Sequence, residues 1–414
     1  MDLEDQMSTF HLLKAYGEAM EMDQRDLAGE LLSRLEEKSS PTGTTLQRLV
    51  YYLVQALDRK HPDMLRMEAS RNYELAFKAF YQIFPYGKFA HFTANSVILD
   101  ALPYDDHQQQ QRGMVVIDIV DFDIGCGVQW PPLMEGLVAR GFTEMRLTII
   151  RWNDDLEEED GDDDDDGGGD DDDEAISYSP TSQRYKEIQT LLQEQARIAG
   201  LNLIVEETDM DDLEFKLKKV VKRNAEHGGQ CLVFNCMAGL PHMGRGRNAG
   251  HVMEFLRVAK ESIESINSCH DSSCRQGVIT FGDGIGWGKG MSGEAYGPIF
   301  EGQLGQFYAL LESMEGHMPY KLREARVAME CLFLTPYVAC IAGFERWEGI
   351  IRESKALAEL RLQARGMRRG CVEEARELVR EGESLHWVSV EGVEGNQLVL
   401  GYKETPLLKV SCWR

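Results

Sequence analysis

The 414-residue sequence has no run of about 18 apolar residues, which excludes a helical membrane span from the expectation. Its first residues, MDLEDQMSTFHLLKAYGEAM, lack the basic and apolar layout of a secretory leader, so an intracellular protein is expected. Paired cysteines are missing as well. The nine cysteines stand singly, mostly inside apolar runs, and read as reduced thiols buried as small hydrophobes. Cys269-His270-x-x-x-Cys274 is the one cluster hinting at metal. It lacks a second ligand pair at zinc spacing, so a polar loop and no metal are expected. There is no Gly-x-Ser-x-Gly turn and no Cys-His signature, which leaves nucleophilic catalysis without a candidate. Zinc-finger, basic-zipper and helix-turn-helix patterns are absent too.

Basic residues are wholly lacking from residues 154–174, DDLEEEDGDDDDDGGGDDDDE, where 16 acids stand without one cation. This tract accounts for much of the net charge of −26; without it 54 acids face 44 bases, a balance of −10. A self-repelling run that buries nothing is expected to be a disordered surface insertion over 154–176. A solubilising insertion outweighs a calcium site, because the run has none of the EF-hand spacing.

The most informative segment present is VVIDIVDFDIGCGVQWPP (115–132). A β-branched apolar run ends in Asp121-Phe-Asp123-Ile-Gly125-Cys-Gly127, then turns toward a helix. That is how a buried parallel strand meets the ligand crevice of a doubly wound α/β sheet. Such a loop uses glycines to bring the backbone close to a nucleotide or S-adenosylmethionine. Here Gln129 takes the place of a third glycine and Trp130 follows it. The end of the second predicted strand carries Arg151-Trp152 instead of the acid that would hold ribose hydroxyls. The loop Asp123, Gly125, Gly127, Gln129 is therefore expected to be degenerate, with no cofactor, no catalytic residue and carboxylates capping local amides. Phe281-Gly-Asp283-Gly284-Ile-Gly286-Trp-Gly288-Lys289 lacks phosphate-loop spacing, and His242 reads as structural rather than as a base.

Residues 8–102 read as helices. Leu27, Leu31, Leu32 and Leu35 share one face, and Leu46, Leu49, Leu53 and Leu57 share another, with Ser39–Gly43 as the break. From 113 the pattern changes to strands alternating with helices, which predicts a parallel sheet with helices on both faces. Strands are predicted at 114–122, 145–151, 202–206, 231–236, 278–281, 338–342, 387–391 and 398–402. The helices between them fall at 133–140, 182–199, 213–224, 250–265, 299–315 and 372–381. Gly392–Asn396 should join the last two strands as an antiparallel hairpin near the sheet edge.

The order of these segments resembles the GRAS family of plant transcriptional regulators across nearly the whole chain. The leucine-rich helices of residues 10–60, FPYGKFAHFTANSVILDAL (84–102), VIDIVDFDIGCGVQWPPLMEGL (116–137), a second leucine-rich region near 185–222, YGPIFEGQLGQFYALLESMEGHM (296–318) and the closing LHWVSVEGVEGNQLVLGYKETPLLKVSCWR (385–414) carry it. DFDIGCGVQWPP and FNCMAGLPHMGR (234–245) resemble the nodulation-signalling branch of that family. The resemblance implies a Rossmann-like, methyltransferase-type core (113–414) with a helical cap (8–102), forming one GRAS domain over residues 1–414. It also implies a nuclear location and work as a non-enzymatic transcriptional co-regulator through homo- or hetero-dimers with another GRAS protein. The branch further implies symbiotic signalling, in nodulation or mycorrhiza, and strigolactone-linked gene expression.

Two surfaces are candidates for that work. Leu46, Leu49, Leu53 and Leu57 are candidate partner contacts, although a leucine stripe is core packing more often than interface. Lys216, Lys218, Lys219, Lys222 and Arg223 are the candidate phosphate contacts for DNA, with Arg245-x-Arg247 and Arg365-x-x-Arg368-Arg369 as smaller clusters. Each is modest. Weak DNA contact, or contact through a partner, is the expectation, with direct sequence-specific binding as the alternative and a methyltransferase-like enzyme behind both.

Overall fold

Long apolar periodicities over the first hundred residues close into a helical layer. The computed structural model describes residues 3–57, 72–102, 116–152, 180–227, 230–240, 249–267, 275–283, 296–342, 359–380 and 385–414. Helices α1 (Leu3–Glu21), α2 (Arg25–Glu36), α3 (Thr45–Leu57), α4 (Tyr73–Ile83) and α5 (Pro85–Ala101) come first. Pro85 stands at the first position of α5, where its missing N–H is no loss. Strands and helices then alternate through β1 (Val116–Asp121), α6 (Trp130–Ala139), β2 (Glu144–Ile150), α7 (Pro180–Ala199), β3 (Asn202–Thr208), α8 (Met210–His227), β4 (Gln230–Cys236), α9 (Ala249–Asn267) and β5 (Arg275–Asp283). The helices α10 (Tyr296–His317), α11 (Arg323–Ala342) and α12 (Arg369–Val379) precede an antiparallel run of β6 (His386–Glu391), β7 (Gln397–Tyr402) and β8 (Thr405–Trp413).

The eight strands form one sheet in the order β3-β2-β1-β4-β5-β8-β7-β6. Strands β1 to β5 are parallel, in the doubly wound order with its switch between β1 and β4. The strand β8 then pairs antiparallel with β5, β7 with β8, and β6 with β7. Alternating side chains of β1 go to opposite faces. Ile117 and Ile119 pack with α6 and α7, whereas Val120 packs with α8 and α9. A third core joins α1 through α5 to α10, α11, α12, β7 and β8.

The expected α/β sheet with many helices is present, and the 392–396 hairpin lies at the sheet edge as expected. Three local expectations need correction. Residues 338–342 form no strand but the end of the 20-residue helix α11; a short β-branched run after Pro336 imitates a strand where a helix packs on α3 and α4. The strand β8, opening on Thr405-Pro406, was not expected at all. Leu27 does not share the buried face of Leu31 and Leu35 but is 47% exposed. The helical layer is also not confined to the first hundred residues, because α10 and α11 complete it while α5 lies on the sheet beside β5 and β8. The acidic tract, Cys269-His270-x-x-x-Cys274, His242, Arg245, Arg247 and residues 284–289 lie outside the described residues.

Candidate functional site

The carboxyl ends of β1, β4 and β5 carry a row of polar residues across the sheet. Asp121 pairs in register with Asn235, and Asn235 with Thr280. Parallel register puts all three on one face. Asn235 Nδ2 donates to Asp121 Oδ1 at 2.9 Å, and Thr280 Oγ1 donates to Asn235 Oδ1 at 2.8 Å. Two side chains descend onto this row from the helices above. Gln129, which leads into α6, donates from Nε2 to Asn235 Oδ1 at 3.1 Å and to Asn95 Oδ1 at 3.2 Å. Its own Oε1 accepts from Asn235 Nδ2 at 3.1 Å. Asn95 of α5 returns a bond from Nδ2 to the Gln129 carbonyl at 2.8 Å. All five residues are buried, and Trp130 beside them is completely so. Burial pushes the Asp121 carboxyl up to about 7, against the bond from Asn235 that favours its charged form.

This network lies at the carboxyl ends of β1 and β4, beside the switch where a doubly wound sheet receives its ligand. Of the two loop glycines Gly127 is packed, whereas a Cβ on Gly125 would meet nothing within 4 Å. Gly125 and Gly127 take φ values of +54° and +71°, which side-chain-bearing residues rarely adopt. A Cβ on Gly127 would lie 3.1 Å from Ile188 Cγ2 and 3.4 Å from Leu192 Cδ2, both on α7. The close approach that the loop permits is to α7. Asp123 Oδ1 accepts the Gly125 amide at 3.0 Å, so this carboxylate caps local backbone. Above the loop, Arg184 of α7 donates to the Gly125 carbonyl at 3.1 Å and stacks 4.9 Å from the Tyr73 ring centre. Where a ribose-binding acid would follow β2, Trp152 is buried and donates Nε1 to the Phe122 carbonyl at 2.7 Å. His91, buried nearby and 3.3 Å from the Tyr81 hydroxyl, is pushed down to about 3 by desolvation. An imidazole held neutral in this way is a packed side chain, not a proton carrier near pH 7.

An open groove of about 690 Å³ lies at the carboxyl ends of β2 and β3, lined among others by Arg151, Glu206, Asp209, Asp212, Phe215 and Lys219. Two of the five candidate DNA contacts face it, Lys216 and Lys219. Lys216 pairs with Glu206 at 3.0 Å, Lys218 with Glu214 at 2.7 Å, and Lys219 sits 4.1 Å from the Phe215 ring centre. Carboxylates thus offset the cations that a phosphate would need. Lys222 and Arg223 lie on α8, with side chains outside the described set. Of the smaller cluster, Arg368 pairs with Asp100 and Arg369 with Glu373.

The candidate partner leucines fare differently. Leu46, Leu49 and Leu53 are 3%, 1% and 0% exposed and belong to the core shared by α3, α10 and α11; Leu57 is half-buried. Leu46, Leu49 and Leu53 are thus closed inside the chain and offer no surface to a partner, whereas the half-buried Leu57 is not closed off in this way. Beside them, the fully buried Arg48 binds Glu330 at 3.1 Å and Glu315 at 3.0 Å. Sequence reasoning missed Asn95, Asn235 and Thr280. A signal existed, in that polar residues recur near the carboxyl ends of the first, fourth and fifth predicted strands, which are neighbours in the sheet.

A model of the GRAS domain family matches residues 9–414. The chain belongs to the GRAS domain family. It is similar to Protein NODULATION SIGNALING PATHWAY 2 of Lotus japonicus, 28% identical with 97% of this chain and 75% of that protein covered. It is similar to the protein of the same name in Medicago truncatula, 26% identical over the same shares. DELLA protein DWARF8 of Zea mays is 33% identical over 33% of this chain and 22% of its own length. Among solved structures, SCL7 of Oryza sativa superposes with a TM-score of 0.64 at 21% identity, covering 98% of this chain and 99% of that one. That likeness bears on the fold alone. Membership of a family of plant regulators supports a role in transcriptional regulation. No helix among the described residues is long and apolar enough to cross a membrane.

Proposed function

We propose that this protein is a nuclear transcriptional co-regulator that works by contact and not by catalysis, assembling at promoters as a homo- or hetero-dimer with another GRAS protein. The observation that carries this reading is the side-chain network of Asp121, Asn235, Gln129, Asn95 and Thr280 in the crevice. A cofactor there would have to displace groups that already satisfy one another, at a cost of roughly 1–3 kcal/mol for each one stranded. Similarity to the nodulation signalling proteins of Lotus japonicus and Medicago truncatula supports a place in symbiotic signalling, and strigolactone-linked gene expression is part of the same proposal. The pairing of Lys216 and Lys218 with acids supports contact with DNA through a partner, or weakly by the chain alone.

The surface for dimerisation is then the exposed side of the first two helices, where Met7, Phe10, Met22 and Leu27 stand 47–67% exposed. The test is co-purification of the full chain with a second GRAS protein, followed by mobility shifts of promoter DNA with each protein alone and with both. Phe10→Glu with Leu27→Glu should abolish co-purification and leave the thermal unfolding of the chain unchanged. A strong shift by this chain alone at physiological salt, lost on neutralising Lys218 and Lys219, would support direct DNA recognition instead. Saturable S-adenosylmethionine binding by calorimetry would refute the non-catalytic reading.

A further inference from the structure

Residues 3–38, which form α1 and α2, hold nine acids and four Lys or Arg, a balance of −5. That is half of the −10 left once the acidic tract is set aside, carried by only 36 residues. All four cations are engaged within the chain. Lys14 pairs with Glu301 of α10 at 3.4 Å and with Glu18 at 4.0 Å. Arg25 pairs with Asp23 at 2.7 Å, Arg34 with Glu30 at 3.0 Å, and Lys38 with Asp5. Glu4, Asp26, Glu36 and Glu37 are exposed and form no ion pair among the described residues. The Lys38–Asp5 pair draws the carboxyl end of α2 to the amino end of α1, so Glu4, Glu36 and Glu37 gather near Met7. Glu36 and Glu37 also stand at a helix end whose dipole favours a cation.

These carboxylates border apolar side chains. Four of the thirteen large apolar side chains exposed among the described residues, Met7, Phe10, Met22 and Leu27, fall on this hairpin. Glu4 lies one helical turn from Met7, and Glu30 one turn from Leu27. Phe10 packs against Tyr308 of α10 with ring centres 6.2 Å apart, which holds it as an aromatic anchor. A second copy docking by the same face would set one group of unmatched carboxylates against another. Neither side would bring a Lys or Arg that is not already paired, and like charges so placed oppose association. A partner with Lys or Arg around its own apolar residues would match them. We infer that the α1–α2 face selects by charge a partner helix whose apolar residues are flanked by Lys or Arg, and rejects a second copy of this chain. The inference rests on the dimerisation face proposed above and narrows its occupant to a hetero-partner of basic surface. Apolar contact supplies the affinity and the carboxylates the choice.

The test uses the full chain and two fluorescent amphipathic helical peptides with the same leucine face. One carries lysines at its polar positions and the other glutamates. Anisotropy should show saturable binding of the lysine peptide, with the glutamate peptide at least about tenfold weaker. Phe10→Ser with Leu27→Ser removes two anchors at constant charge and should weaken the lysine peptide about tenfold. Glu36→Lys with Glu37→Lys should weaken it as well. Glu135→Lys with Glu374→Lys, an equal change of charge on α6 and α12, should leave binding unaltered. Every one of these side chains is exposed, so the core is untouched. In sedimentation at low salt the wild-type chain should run as a monomer. A dimer that Phe10→Ser with Leu27→Ser dissolves, equal binding of the two peptides, or an equal loss in both charge-reversed variants would overturn the inference. Failure of a second GRAS protein to co-purify, with the peptide preference intact, would count against promoter assembly alone.

Discussion

Truncating Gln129 to alanine tests whether the crevice network is structural. Gln129 makes three side-chain hydrogen bonds, two from Nε2 and one to Oε1. At about 1 kcal/mol net apiece, their loss costs about 3 kcal/mol. Asn95 Oδ1 is then left without its donor, while Asn235 keeps Asp121 and Thr280. One stranded buried acceptor adds roughly 1–3 kcal/mol, and a water entering the vacated space offsets part of it. The expected destabilisation is about 3–5 kcal/mol, read as a lower urea midpoint at unchanged slope. Asn235→Ala should cost more, because it also strips Asp121 of its donor; Thr280→Val should cost less. No variant should gain S-adenosylmethionine binding, because Ile188 and Leu192 still close over Gly127. A Gln129→Ala protein as stable as the wild type, or one that binds the cofactor, would refute the reasoning.

Other consequences follow from the same packing. Arg48→Met leaves Glu330, 0% exposed, with Arg326 and the Tyr52 hydroxyl as its remaining partners, and should cost about 3–5 kcal/mol; the double variant Arg48→Met with Glu330→Leu should recover much of it in the same melts. Burial pushes Glu330 up to about 7, above its ordinary 4.5, so its proton is bound more tightly in the folded chain. Its contribution is therefore complete below about pH 4.5 and is lost as pH rises through about 7, and Glu330→Gln should flatten that slope. His386 behaves oppositely. Burial and His317 push it down to about 3, so its contribution is present above about 6.5 and lost as pH falls toward 3. A His386→Phe variant should show a shallower acid limb of stability. Leu53→Glu should yield insoluble protein, while Leu27→Glu should fold, a contrast that solubility and circular dichroism measure directly.

The parallel half of the sheet was legible because β1 and β2 are buried runs rich in β-branched residues and β4 is a buried apolar run, each followed by a loop and a helix. Gln129 and Trp130, singled out in the sequence as bulky residues of the loop, are both buried. What stayed hidden was tertiary. Nothing local says that Asn95, 34 residues before Gln129, meets it in a crevice. The leucines of α3 misled because an amphipathic stripe looks the same whether its apolar side faces a partner or the chain's own α10 and α11. Helix α11 failed for a related reason, since a helix packed between neighbours loses the periodic polar face by which helices are read.

The shared core also decides how partner binding should be probed. Removing residues 1–102 would seem the direct way to test the helical region. Yet Phe84, Tyr86 and Phe89 are completely buried in the same core as Phe307, Leu310, Leu398 and Val410, far along the chain. Tyr86 also donates its hydroxyl to the Gly239 carbonyl at 3.0 Å, tying α5 to the loop after β4. Asn95 lies on the same helix, so deletion would remove part of the crevice network as well. Each large side chain exposed this way costs about 1.5–3 kcal/mol, and a handful would exceed the 5–15 kcal/mol that holds a typical domain folded. Loss of partner binding in the deleted chain would report unfolding. Substitutions at Met7, Phe10, Met22 and Leu27 change the surface without opening that core, so a binding loss there identifies the interface.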